Sequence, residues 1–363
     1  MADLPHLLQL TQDLMRFRST DTRRDQLKAA FDFASAYFDA TGLTVERIES
    51  NGIPNVFISI GGNKTPKILL CGHLDVVEGD DGQFTPRIEG DKLFGRGAQD
   101  MKSGIACMMA LMKDLAQTKH DIGLMLTGDE EIGGKNGAGH LVSLGYGGEV
   151  ILLPDGGEAI TNLVVKEKGV LQLCLIARGK AAHGSMPWLG ENAIEKLAQA
   201  INAVRDAFLP LEAQTDDHWV TTCNVGLISG GSALNSVPDK AEAQLDIRFV
   251  EQDDDEDILE RVRLLLPVGV DVEVIETLPA TVVPHEYPLV KAFREATHRV
   301  TGQDLRDVLE HGASDASYFM PHGAVCLQSQ PDGGNAHAAD EWVSIPSIGI
   351  YYDIIRTYAE TIA

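Results

Sequence analysis

Residues 66–77 read PKILLCGHLDVV. From Ile68 to Cys71 the run is unbroken in apolar side chains, as in a strand of a parallel sheet covered by helices on both faces. His73 and Asp75 then set an imidazole and a carboxylate into the same run, where ionisable groups are costly unless a partner answers them. Two later stretches, DIGLMLTGDEE (121–131) and EVILLPD (149–155), are built in the same way. Between the first and second lies QDMKSGIACMMALMKDL (99–115), where Met101, Ile105, Met108, Met112 and Leu115 fall four, three, four and three residues apart. That spacing predicts a helix with one apolar stripe facing a core. Alternation of such strands and helices predicts an α/β fold, a largely parallel sheet flanked by helices.

After Lys166 the pattern changes. A strand (170–179), a helix from about Glu191 to Phe208, strands at 221–229 and 240–250, a helix after the acidic run at Asp253 and a strand at 270–276 give the order βαββαβ, a ferredoxin-like α+β unit. From about Pro284 the α/β pattern returns, with HEYPLVKAFREATHRVTG (285–302) ending at a glycine and AVCLQSQ (324–330) reading as another core strand. The α+β unit is therefore read as an insertion: residues 1–167 and 280–363 form one domain and 168–279 the other. EQDDDED (251–257) reads as a solvated acidic turn.

The chain has 363 residues, 44% of them hydrophobic, enough for a sizeable core. Thirty Lys and Arg against 54 Asp and Glu give a net charge of −24, which would repel nucleic acid and anionic membranes. The first 17 residues place Leu7, Leu10, Leu14 and Phe17 at helical spacing, as in a surface helix and unlike a secretory leader, and no apolar stretch is long enough to span a bilayer. Five scattered cysteines without a CxxC pair indicate packed thiols in a reducing compartment, so the expected location is cytoplasmic.

His73 with Asp75 has an ordinary reading, that of a satisfied core pair. Further acids shift the balance. GRGAQD puts Asp100 in a Gly-rich loop before the helix, GDEEIGG puts Glu130 and Glu131 at a strand end, LPD puts Asp155 at another, and GGNAHAADEW adds His337. Each alone could be a cap or a turn residue. Gathered at the carboxyl ends of strands they would repel one another severely without divalent cations to neutralise them. Imidazole plus carboxylate suits Zn²⁺ or Co²⁺ better than Mg²⁺, and the ligand count fits two ions. No GxSxG elbow, phosphate loop or dinucleotide fingerprint occurs.

In order and spacing, GHLDVV (72–77), GRGAQDMKSG (95–104), TGDEEIGG (127–134), GKAAHGSMPWLGENAI (179–194) and NAHAADEW (335–342) resemble the M20 family of metallopeptidases, which includes acetylornithine deacetylase, succinyl-diaminopimelate desuccinylase, aminoacylase and carboxypeptidase G. The resemblance implies a zinc-peptidase-like catalytic domain with an inserted lid or dimerisation domain. It further implies that His73, Asp100 and Asp155 hold one Zn²⁺ (or Co²⁺), that Glu131, Asp100 and His337 hold a second, and that Asp100 bridges them. Asp75 would orient His73 and Glu130 would be the general base; the neighbours Glu130 and Glu131 are not separable without the resemblance. His183, in the inserted unit, would reach the partner subunit's site in a homodimer and stabilise the oxyanion. Asn235 and Arg248 match lid positions that bind the substrate carbonyl and carboxylate, and Ser314 with Asp315 matches a loop near the site, with helix capping as the ordinary alternative.

The expected substrate is an N-acyl amino acid or a short peptide cleaved at its amide bond, with a di- or aminopeptidase as the alternative within the same chemistry. Asp155 departs from the Glu that many deacylases of the family carry and matches di- and tripeptidase or carnosinase-like branches, so the acyl group is left open. A non-catalytic two-domain binding protein is the competing reading of a different kind.

Overall fold

The computed structural model describes residues 2–212 and 218–362. By its internal contacts the chain divides into two units, one of residues 1–165, 283–310 and 314–363, the other of residues 166–282 and 311–313.

In the first unit the buried strand Ile68–His73 lies between Ile122–Thr127 and Val150–Leu153, parallel to both, and Val325–Gln328 continues the parallel set beyond Val150–Leu153. A hairpin of Thr44–Ser50 and Ile53–Ser59 adds antiparallel strands beside Ile122–Thr127. Successive residues of a strand face opposite sides. Accordingly Ile68 and Leu70 join one core with the helices Leu4–Met15, Arg24–Ala36, Ser103–Leu115, Pro288–Thr301 and Ile345–Ile362. Leu69 and Cys71 join the other, with the short helices Ala138–Ser143 and Ala316–Phe319. Cys71 is thus a packed thiol, and burial pushes its pKa up.

The helix Ser103–Leu115 differs from the one-stripe expectation. Every residue except Lys113 and Asp114 is buried, because the sheet lies beneath it and the helices Leu4–Met15 and Ile345–Ile362 pack over it. Met101 stands outside the helix in a non-helical conformation. Gly104 meets the strand below so closely that an added Cβ would stand 2.2 Å from Cβ of Pro154, the residue preceding Asp155.

A small second sheet in this unit runs Gly333–Gly334, Trp342–Ser344, Lys92–Phe94, Arg87–Glu89. Its two inner strands lead directly into, or out of, the loops that carry Asp100 and His337. Strands this short leave no periodicity to read in the sequence.

The second unit is a four-stranded antiparallel sheet in the order Thr222–Gly230, Lys240–Phe249, Gly169–Arg178, Val270–Leu278, with the helices Ala193–Glu212 and Asp255–Leu265 sharing its core. The acidic run is not merely a solvated turn. Asp254 accepts hydrogen bonds from the N–H groups of Glu256 and Asp257, and Asp255, Glu256 and Asp257 occupy the first helical turn, where negative charge complements the helix dipole. A two-stranded ribbon pairs Ala182–His183 with Ser236–Val237.

Candidate active site

Three adjacent parallel strands deliver the central groups. His73 is the last residue of its strand, Glu130 and Glu131 follow Thr127, and Asp155 follows Leu153 after one proline. Side chains at such carboxyl ends face the crevice where α/β sheets bind ligands. Asp100 comes from the segment between Phe94 and the buried helix, and His337 from the loop between Gly334 and Trp342.

Asp100 is the hub. Its Oδ1 lies 3.0 Å from Nε2 of His73 and its Oδ2 3.0 Å from Nε2 of His337, which is also 3.2 Å from Oε2 of Glu131. Potential ligand atoms of His73, Asp100 and Asp155 lie within 4.8 Å of one another, and so do those of Asp100, Glu131 and His337. Oε2 of Glu130 stands 3.9 Å from Nε2 of His73, beside both groups and a member of neither.

The charges are strongly coupled. Burial pulls the His73 imidazole toward neutrality, but the Asp100 hydrogen bond and the charges of Asp100, Glu130 and Asp75 win and hold its pKa well above the usual value. Hydrogen bonds to Asp100 and Glu131 raise His337 to about 10. Burial opposes ionisation of Asp100, yet hydrogen bonds from both histidines keep its carboxyl below the ordinary range. Glu130 is pushed well up, by burial first and then by the charges of Asp155, Asp315 and Asp100, although His73 opposes the shift. Burial lifts Asp315 to about 7 and Asp75 to about 6.

The donor set fits divalent cations. Nδ1 of His73 is 3.0 Å from the main-chain carbonyl of Asp75, which can only accept, so Nδ1 carries a proton, and Nε2, which faces Asp100, is the nitrogen that would give its lone pair to a cation in place of a proton. The partner that fixes His73 is therefore the carbonyl of Asp75. The Asp75 carboxylate stands 3.6 Å from Nδ1, accepts the N–H of Glu131 at 3.0 Å through Oδ2, and leaves Oδ1 buried without a hydrogen bond.

The other expected residues are placed in both units. Ser314 is buried, and its Oγ accepts from Nε2 of Gln328 at 2.8 Å and from the N–H of Ala316 at 3.2 Å, in the manner of a helix start. Asp315 accepts from Oγ1 of Thr127 at 3.1 Å. In the second unit the ribbon brings His183 beside Asn235, both exposed, with Gly184 so close that a Cβ there would be 3.1 Å from Cα of Asn235. Nδ1 of His183 accepts from the N–H of Ser185 at 3.2 Å and is 2.8 Å from its Oγ. Arg248 is half-buried on its strand and pairs with Asp246 at 3.1 Å.

Three charged residues beside the site, Arg96, Lys102 and Glu341, are not among those expected from the sequence. Lys102 is fully buried, donates to the carbonyl of Phe17 at 3.0 Å and to Oγ of Ser19 at 2.9 Å, and is lowered to about 7 by burial. Arg96 stands four residues before Asp100 and Glu341 four after His337, and charges so placed inside the motifs were the available signal.

Imidazoles and carboxylates gathered at the carboxyl ends of a parallel sheet make an α/β domain with a donor set suited to divalent cations. The sequence profile of peptidase family M20/M25/M40 matches residues 69–362, and the chain belongs to that family. A succinyl-diaminopimelate desuccinylase of Thioalkalivibrio sulfidiphilus is 29% identical over 376 residues, spanning 96% of this chain and 98% of the relative. Among solved structures, a tripeptidase from Staphylococcus aureus superposes with a TM-score of 0.79 at 22% identity, covering 99% of each chain. A dinuclear metal binding peptidase of the M20 family from Bacillus subtilis superposes at 0.72 with 14% identity, over 99% of this chain and 98% of that one. The protein is a hydrolase acting on amide bonds. Among the described residues no helix is long and apolar enough to cross a membrane.

Proposed function

We propose that the chain cleaves the amide bond of an N-acyl amino acid or a short peptide with two divalent cations, Zn²⁺ or Co²⁺, one held by His73, Asp100 and Asp155 and the other by Asp100, Glu131 and His337. The observation that carries this is the position of Asp100, with one oxygen toward each histidine at 3.0 Å. The cations would supply Lewis acidity, polarising the scissile carbonyl and easing deprotonation of water. Glu130 takes the proton of the attacking water on its carboxylate and passes it to the leaving nitrogen. His73 is kept in one tautomer by the Asp75 carbonyl, and the Asp75 carboxylate holds the Glu131 main chain.

The 168–279 segment is assigned the lid and dimerisation role, in a homodimer. Because Nδ1 of His183 accepts the Ser185 N–H, the neutral ring presents Nε2–H as a donor, which suits an oxyanion. Asn235, Arg248 and Ser314 are assigned to the substrate, Arg248 to its carboxylate. Cys71 and Cys107 are buried thiols, in keeping with a cytoplasmic, reducing location.

The test is hydrolysis of a panel of N-acetyl and N-succinyl amino acids, dipeptides and tripeptides by protein stripped with a chelator and reloaded with Zn²⁺ or Co²⁺. Activity is expected to vanish on stripping, return on reloading, and favour one class. Preference for peptides with a free amino terminus would select the peptidase reading; fewer than one ion per chain and no turnover would select a non-catalytic binding protein.

The role of His183 has its own test. Inactive His183→Ala and Glu130→Ala proteins, mixed and allowed to exchange subunits, are expected to regain up to about a quarter of wild-type sites, since half the dimers are mixed and half their sites whole. Confirmed exchange without activity would remove the role in trans.

A further inference from the structure

One buried ion pair holds both the loop of Asp100 and the loop of His337. Arg96 and Glu341 are 3% and 1% exposed, and Nη1 of Arg96 donates to Oε2 of Glu341 at 2.8 Å. The other hydrogen bonds of both groups go to the main chain around the two loops, while Nε of Arg96 is buried without a partner. Oε2 of Glu341 also accepts the N–H of Gly97 at 3.1 Å, and Oε1 accepts the N–H groups of Gln99 at 3.0 Å and Asp100 at 3.2 Å. These N–H groups lie at the start of the segment leading into the buried helix, where no intrahelical carbonyl is available, and the carboxylate takes that place.

On the other side, Nη2 of Arg96 donates to the carbonyl of His337 at 3.0 Å and lies 3.4 Å from that of Glu78. His337 has φ of 64° and Asn335 of 62°, left-handed conformations that residues with side chains adopt at a cost and keep only when their surroundings enforce them. Arg96 supplies part of that enforcement at the residue whose ring must reach Asp100 and Glu131. A buried ion pair is a poor source of stability for its own sake, because desolvation offsets the attraction. Its directed bonds are better explained by what they orient.

We propose that Arg96 and Glu341 are positioning residues, a clasp that sets the geometry of the metal-binding loops and thereby their affinity for the ions. The inference rests on the ligand sets of the proposed function, and it makes a prediction those sets alone do not. Arg96 bonds the main chain of His337, a member of one set, whereas Glu341 bonds that of Asp100, a member of both. Arg96→Lys keeps the charge facing Glu341, but its single nitrogen does not reproduce the planar fork by which two guanidinium nitrogens reach the carboxylate and the carbonyl separately. Glu341→Gln keeps the shape and turns an amide NH₂ toward N–H donors that need an acceptor.

The experiment is calorimetric titration of metal-free protein with Zn²⁺, with absorption spectra of the Co²⁺-loaded forms and circular dichroism of each metal-free variant. Wild type is expected to take two ions. Arg96→Lys should weaken one of them about 10–100-fold and perturb its Co²⁺ bands while leaving the other unchanged, and Glu341→Gln should weaken both. Wild-type affinity for both ions in Arg96→Lys overturns the clasp. Fewer than two ions in wild type overturns the ligand sets and the clasp with them. Should Glu341→Gln not fold, Arg96→Lys decides the matter, since it retains the buried charge pair.

Discussion

Replacing Glu130 with alanine is expected to lower turnover by about 10²–10⁴-fold or more while the metal content stays at the wild-type value. The expectation follows from its place beside both ligand groups and in neither, 3.9 Å from Nε2 of His73. Removing it would take away the carboxylate proposed to relay the proton and leave His73, Asp100, Asp155, Glu131 and His337 in place. Substrate binding should change far less than turnover, because a proton relay acts only as the bond breaks. Steady-state kinetics together with metal analysis checks both halves. A fall in metal content would make Glu130 a ligand, and the base would then have to be sought in Glu131.

Asp100→Ala is expected to do the opposite in kind. Activity should fall below detection because fewer than two ions remain on each chain. The reason is geometric: each histidine faces a different oxygen of the one carboxylate, so the substitution removes a donor from both groups at once and uncovers two cations to each other. Metal analysis after gel filtration, with circular dichroism to show that the fold persists, is the measurement. A fully loaded, active Asp100→Ala protein would end the shared-carboxylate arrangement.

The central strands were legible because a parallel strand buried on both faces is a continuous apolar run, and the point where polarity breaks in, at His73, Thr127 and Pro154–Asp155, marks its carboxyl end. The meeting of Asp100 with His337 was not legible from periodicity. The two are 237 residues apart, joined through strands two or three residues long, too short to carry a pattern. The stripe from Met101 to Leu115 predicted a helix but understated its burial, since periodicity reports the face most apolar and cannot tell that helices will cover the rest. The carboxylate of Asp75 was expected on the His73 ring, whereas the main-chain carbonyl of the same residue takes that bond, a choice set by backbone direction that no sequence displays. Glu341 and Arg96 escaped notice because a buried ion pair and a solvated one are written with the same letters.

The helix that follows Asp100 has no wet face apart from Lys113 and Asp114. A segment enclosed in this way has little freedom to drift, since any change of volume must be matched by a neighbour in the sheet or in the covering helices. Substitutions among the residues that seat the Asp100 loop are then expected to need a compensating change nearby, whereas exposed positions such as those on the ribbon of His183 and Asn235 can be replaced singly.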